Sequence, residues 1–156
     1  MIAFGKLWLL ALARKFDFTK ERIMAESVLR EQTKEFAKNI IVLCRSLKAR
    51  GIEGALTNQL LRCGTSIGAN VYAAQYAQGS KDFISKFEIA LKECNESDYW
   101  LSILYETNAL TKEEYSFYHS QCINIRRMLV SSVNTIKEKT QSQANITNDK
   151  TPKQKE

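Results

Sequence analysis

The chain has 156 residues with one proline and six glycines, and no strand-like alternating runs; that excludes a sheet-rich or loop-rich fold and predicts long helices around one core. The formal charge is +6, but residues 1–22 hold +3 of it and residues 139–156 another +2, leaving +1 on residues 23–138. A general basic face over the folded part is thereby excluded, while a local basic patch is not.

The first 23 residues form an apolar and basic N-terminal extension. Its apolar run "LWLLALA", Leu7 to Ala13, is far short of the roughly 20 residues a membrane-spanning helix needs. Three readings stay open: a short signal peptide ending in Ala11-Leu12-Ala13, an over-called start upstream of a natural one at Met24, and an extra docking segment.

Residues 24–138 carry four segments with helical periodicity. In the first, Leu29, Thr33, Phe36, Ile40, Leu43 and Leu47 alternate by four and three, the spacing of one buried face. It begins between Thr19 and Ser27 and ends at Gly51, a residue that tolerates positive φ. The second opens at Thr57 or Asn58 as N-cap, runs to Gly79, and has the stripe Leu60, Gly64, Ile67, Val71, Ala74. The third has Ser80 as N-cap, Asp82 in its first turn, and the stripe Phe83, Phe87, Ala90, Cys94, Ser97, Leu101, Leu104. The fourth opens on the capping box Thr111-x-x-Glu114, with the stripe Tyr115, Tyr118, Cys122, Ile125, Leu129, Ser132, Ile136. Residues 139–156 are polar and aperiodic, the composition of a disordered tail. Four long helices with short loops predict an all-α, antiparallel up-down-up-down four-helix bundle.

The stretch "RCGTSIGAN", Arg62 to Asn70, sits inside the second segment. It is not a phosphate-binding loop, because the glycines are spaced G-x-x-x-G, no lysine follows, and no strand precedes them. Gly64 falls on the buried stripe and Gly68 beside it, so both predict close approach of a neighbouring helix at a propensity cost of about 1 kcal/mol each. Arg62, Ser66 and Asn70 follow at four-residue steps as a polar ribbon, either solvated or in contact with a subunit or ligand.

Other constellations are thin. Cys44, Cys63, Cys94 and Cys122 contain no C-x-x-C pair and read as small buried hydrophobes in a reducing, cytoplasmic setting. A di-iron bundle site needs two Glu-x-x-His motifs, and the one histidine, His119, has Ser116 three residues before it. No metal or cofactor is predicted. Glu88, Glu93, Glu96 and Asp98 scatter around the third segment, and no elbow motif accompanies a serine or cysteine, so catalysis is not indicated. Arg45, Lys48 and Arg50 end the first helix and Arg126-Arg127 sit in the fourth; they are solubilising charge, or a nucleic-acid patch if an oligomer repeats them around an axis. Tyr72, Tyr76, Ile89, Trp100, Ile103, Ile123 and Val130 fall off the core stripes and predict a homo-oligomeric interface.

The segment Gln59 to Glu106 closely resembles the bacterial four helix bundle proteins, also called 23S rRNA-intervening-sequence proteins. The motifs that carry the likeness are Leu60-Leu61-Arg62, Gly64 to Asn70, Lys81-Asp82-Phe83, Ala90 to Glu93, Asn95-Glu96 and Tyr99-Trp100. The resemblance extends more weakly over residues 24–138. It implies an antiparallel bundle that assembles as a ring, a homopentamer, with no known enzymatic activity. It also implies a gene first noticed inside large-subunit ribosomal RNA, and a distant likeness to the basic ring of diversity-generating retroelements. Ala73 stands where members of the family often carry a glutamate.

Two functions are therefore expected to compete. One is a non-enzymatic homo-oligomeric scaffold associated with RNA or DNA. The other is a small-molecule binder or small enzyme in which Arg62, Asn70, Asn95 and Glu96 converge on a polar pocket.

Overall fold

A computed structural model describes the backbone of residues 2–148, and side chains within residues 24–141. Four helices follow in order: α1 (Ile2–Ala49), α2 (Gly54–Ala73) with a short 3-10 turn at Ala74–Tyr76, α3 (Ser80–Glu106) and α4 (Lys112–Asn148). Consecutive helices pack along their lengths, and α1 meets α4 over a shorter stretch, closing an up-down-up-down bundle.

The predicted stripes build the core. Leu29, Thr33, Phe36, Ile40, Leu43 and Leu47 of α1 are buried, as are Leu60, Gly64, Ile67 and Val71 of α2. On α3 the stripe is buried from Phe87 to Leu104, while Phe83 is half-buried. On α4 the last turns depart from the expectation: Val133 is buried and Ser132 only half-buried. The step after Leu129 is four rather than three, and burial of the valine in place of the serine is the better solution by transfer energy. All four cysteines are free and buried.

Two helix ends use the same chemistry. Gly51 adopts φ +83°, its N–H donates to the Lys48 carbonyl at 3.1 Å, and the Ile52 N–H reaches Leu47 at 3.0 Å. Asn108 repeats the pattern after α3 with φ 60°, and the Ala109 N–H donates to Leu104 at 2.8 Å. Both are left-handed caps that satisfy the last carbonyls of a helix.

The helix starts are less faithful to the expected caps. α1 begins at Ile2 and not between Thr19 and Ser27. The early residues are mostly Leu, Ala, Lys, Arg and Phe with no proline, so nothing local breaks the helix. α2 begins one turn before Thr57. The Thr57 hydroxyl is fully buried and donates back to Gly54 O at 3.2 Å, acting inside the helix instead of capping it. α2 also ends at Ala73, short of Gly79. At α3, Gly79 flanks the helix and Ser80 is its first residue; the Asp82 carboxylate accepts from the Gln78 N–H at 3.2 Å. The predicted helix end near Lys139 is passed, and α4 continues to Asn148 through residues that include neither glycine nor proline. Residues 149–156 of the expected tail lie outside the described residues.

At α4 the capping box forms as predicted. The Glu114 N–H donates to Thr111 Oγ1 at 3.1 Å, and the Thr111 N–H donates to Glu114 Oε2 at 2.9 Å. T111A is expected to cost about 1 kcal/mol and to lower the thermal midpoint by about 2–6 °C, read by circular dichroism. An unchanged midpoint would mean that packing alone holds the first turn of α4.

Candidate functional site

The two predicted groups of site residues behave differently. Gly64 and Gly68 are where α1 and α2 touch. A Cβ built on Gly64 would stand 2.9 Å from Ile40 Cγ2, and one on Gly68 would stand 3.2 Å from the Thr33 carbonyl oxygen. The glycine-rich stretch is thus a helix shaved for close packing. Along the α2/α3 edge, Arg62 Nη2 donates to Glu96 Oε1 at 2.7 Å and to Gln59 at 3.1 Å. Ser66 is half-buried, Asn70 donates to the Ser66 carbonyl of its own helix at 2.9 Å, and Asn95 is exposed. Of Arg62, Asn70, Asn95 and Glu96, the fold joins the first and last and leaves the asparagines apart.

The basic residues do not form one patch within a single copy. Arg45 is exposed at the end of α1, and Lys48 donates to Asn58 Oδ1 at 2.8 Å. Arg50 donates both terminal nitrogens to Glu114, at 3.1 and 3.3 Å, and so locks α1 onto the start of α4. Arg126 lies twelve residues after Glu114 along α4, a rise of about 18 Å, and is paired with Asp98. Arg127 is exposed.

A denser cluster lies where the sequence pattern gave little signal. Asp98 of α3 places Oδ1 2.6 Å from His119 Nδ1 and accepts from Arg126 Nη2 through Oδ2 at 2.7 Å. The His119 ring stacks on Tyr115 with centroids 5.1 Å apart, and Tyr115 stacks on Tyr105 at 4.7 Å and 8°. The available hint was the spacing Tyr115, His119, Arg126, which puts all three on one side of α4. Asp98 was one of several scattered carboxylates, and only the packing of α3 on α4 selects it. The hydrogen bond and charge of Asp98 hold the Arg126 guanidinium above its ordinary pKa. Among the described residues no hydroxyl or thiol is hydrogen-bonded to His119.

Beside it, the Cys94 thiol donates to the Cys122 carbonyl at 3.4 Å. Contact with Cys122 lowers the Cys94 pKa, helped by the Arg126 charge, and the same contact with burial pushes Cys122 well above the ordinary thiol range. Burial pushes Cys44 and Cys63 up to about 11, so both stay protonated and inert at neutral pH. Among the described residues no three His, Cys, Asp or Glu side chains gather to hold a metal ion.

Among the described residues the buried polar atoms Glu93 Oε2, Trp100 Nε1 and Arg126 Nε have no hydrogen-bond partner. Glu93 is 8% exposed. A groove of about 410 Å³ lies between α1 and α2, where Arg30, Lys34, Gly68 and Tyr72 contribute lining. The Arg30 guanidinium lies 6.0 Å from the centroid of the Tyr72 ring, a cation–π arrangement that the periodicity did not suggest. Among the described residues no helix is long and apolar enough to cross a membrane.

A family model described as 23S rRNA-intervening sequence protein matches residues 26–131. Among solved structures, the chain is similar to a protein of unknown function from the S23 ribosomal protein family of Bacteroides thetaiotaomicron. The two share 39% sequence identity with a TM-score of 0.69, over 70% of this chain and 98% of that one. Comparison with curated proteins found no match.

Proposed function

The chain belongs to the 23S rRNA-intervening sequence protein family, and from that premise we propose that it is a non-enzymatic, cytoplasmic scaffold that works as a ring-forming homo-oligomer. The observation that carries this reading is the apolar surface left on two separate helix pairs. On α1, α2 and the 3-10 turn, Val28, Tyr72 and Tyr76 are exposed, Tyr76 by 72%; on α3 and α4, Tyr99, Tyr105 and Phe117 are exposed. Two distinct patches suit a head-to-tail contact, in which a patch of one copy meets the other patch of the next and the rotation closes a ring. Four free, buried cysteines fit a reducing compartment.

RNA or DNA association is the second reading. It is supported by Arg45 and Arg127, which are exposed and carry no ion pair among the described residues. Of the five predicted cations, Arg50 and Arg126 are each neutralised by a carboxylate, which leaves Arg45, Lys48 and Arg127 for a ring to repeat.

Native mass spectrometry of the full chain, with and without nuclease, tests both. We expect an oligomer for the wild type, five copies on the family resemblance, and a shift to monomer in Y72S/Y76S with helicity retained. A monomeric wild type at high concentration would overturn the scaffold reading. Mass lost on nuclease treatment would favour nucleic acid, and R45Q/R127Q should then abolish it.

A further inference from the structure

The groove between α1 and α2 has a cationic wall. Ser27, Arg30 and Lys34 line it from α1 at steps of three and four, so they share one face of that helix. Gly68 and Ala69 line it from α2 with a methyl group or less. A Cβ on Gly68 would already stand 3.2 Å from the Thr33 carbonyl oxygen, so the two backbones are close here. Small side chains at the contact leave a concavity of about 410 Å³, a size that suits a small molecule.

Arg30 is held in place without being neutralised. With its amide oxygen turned to Arg30, Gln75 accepts from Nε at 2.7 Å and from Nη1 at 2.9 Å. The guanidinium also lies 6.0 Å from the centroid of the Tyr72 ring. Both partners are uncharged, and they leave the two Nη2 hydrogens and one on Nη1 available. Arg50, Arg62 and Arg126 each meet a carboxylate, whereas among the described residues neither Arg30 nor Lys34 has an ion-pair partner. A guanidinium fixed by neutral neighbours has lost part of its rotamer freedom before a ligand arrives, so an anion meets it at a reduced ordering cost.

We infer that this groove binds a small phosphate monoester, with Arg30 and Lys34 as the clamp on its phosphate. The open Nη1/Nη2 end of the Arg30 fork presents parallel donors to two oxygens of one oxyanion. Lys34, one turn further along the same face, adds a point charge with donors that can rotate onto a third. Two cations side by side suit a dianion better than a singly charged carboxylate, which the arginine fork alone would satisfy. Glu31 also lines the groove and opposes any anion there. The inference concerns a single copy, so it stands apart from ring assembly and from nucleic-acid association.

Isothermal titration calorimetry of the full chain in chloride buffer tests it. Phenyl phosphate is the probe, with benzoate and a hydroxyl-ended oligothymidylate as comparisons. We expect phenyl phosphate to bind about tenfold more tightly than benzoate. R30M/K34M keeps the apolar stems and removes both charges; it should weaken phenyl phosphate by about tenfold or more, with circular dichroism unchanged. E31Q removes the opposing charge and leaves the clamp intact, so it should tighten binding by about two- to threefold. That arm decides the matter should the double variant fail to fold. No binding of phenyl phosphate at millimolar concentration, equal binding of benzoate, or affinity unaltered by these substitutions would overturn the inference. Tighter binding of the oligothymidylate than of phenyl phosphate would also overturn it, and would assign Arg30 and Lys34 to a nucleic-acid surface instead.

Discussion

Replacing Gly64 with valine is expected to destabilise the bundle by about 3–4 kcal/mol, and with alanine by about 1–2 kcal/mol. A Cβ at this position meets Ile40 Cγ2 at 2.9 Å, Cγ1 at 3.0 Å and Cβ at 3.3 Å. Those atoms belong to a fully buried, β-branched side chain that is stiff about χ1, so they cannot swing aside. Overpacking of this kind costs about 1–3 kcal/mol or more, and alanine recovers about 1 kcal/mol of helix propensity in return. Valine adds two methyl groups and gives back less propensity. Gly68 is the internal control: its added Cβ stands at 3.2 Å from the Thr33 carbonyl oxygen, so α1 must yield by a few tenths of an ångström and the cost should be smaller. Urea unfolding with an unchanged m-value gives the comparison. If G64V unfolds at the same midpoint as G68A, the close α1/α2 approach is not what selects glycine at Gly64.

The same pair shows how much of the fold could be read from the chain. The burial of Leu29 to Leu47, and of Leu60 to Val71, depends only on which side of a helix each residue occupies. That is a property of spacing, and it survives without knowledge of any partner. The Thr111–Glu114 capping box was legible for the same reason, since both partners lie within four residues. Thr57 misled because a hydroxyl can cap the helix that follows or bond back into the turn before it, and local sequence does not separate those two outcomes. The end of α4 was obscured by composition: Thr, Ser and Gln are usual in tails, yet the Thr140 hydroxyl donates to Ile136 O at 2.9 Å within the continuing helix.

The site residues divide along the same line. Gly64 and Gly68 lie where an added Cβ would crowd α1, and a missing side chain on a buried stripe is legible from spacing. Arg62 and Glu96 were marked for a pocket, and they do meet, but Asn70 satisfies itself against Ser66 and Asn95 faces solvent. The Asp98–His119–Arg126 cluster was hidden because its members are 21 and 28 residues apart in the chain. Periodicity assigns a face to each helix but not the axial register between two helices, and register decides which carboxylate of α3 stands opposite His119. Glu93 was hidden for a related reason: its place looked like one more charged flank until α2 covered it.

Removing that cross-helix carboxylate carries the second large expectation. D98A should lower stability by about 2–3 kcal/mol, between the roughly 0–1 kcal/mol of an exposed ion pair and the roughly 3–5 kcal/mol of a fully buried one. The side chains of Asp98 and Arg126 are 19% and 33% exposed, which places the pair between those limits. Without Asp98, Arg126 keeps a buried Nε that already lacks a partner and loses the acceptor of Nη2 as well. His119 loses the group that fixes its ring, and the Tyr105–Tyr115–His119 stack loses its anchor. If the damage comes chiefly from a stranded guanidinium, removing the charge should repair part of it. R126M alone is expected to cost about 1 kcal/mol, and D98A/R126M should be more stable than the sum of the single variants predicts, by about 1–2 kcal/mol. A double-mutant cycle from chemical denaturation reads this directly. Strict additivity would mean that Asp98 and Arg126 act independently, with the loss in D98A arising from His119 and the ring stack. H119A in the D98A background would then be the arm that shows coupling.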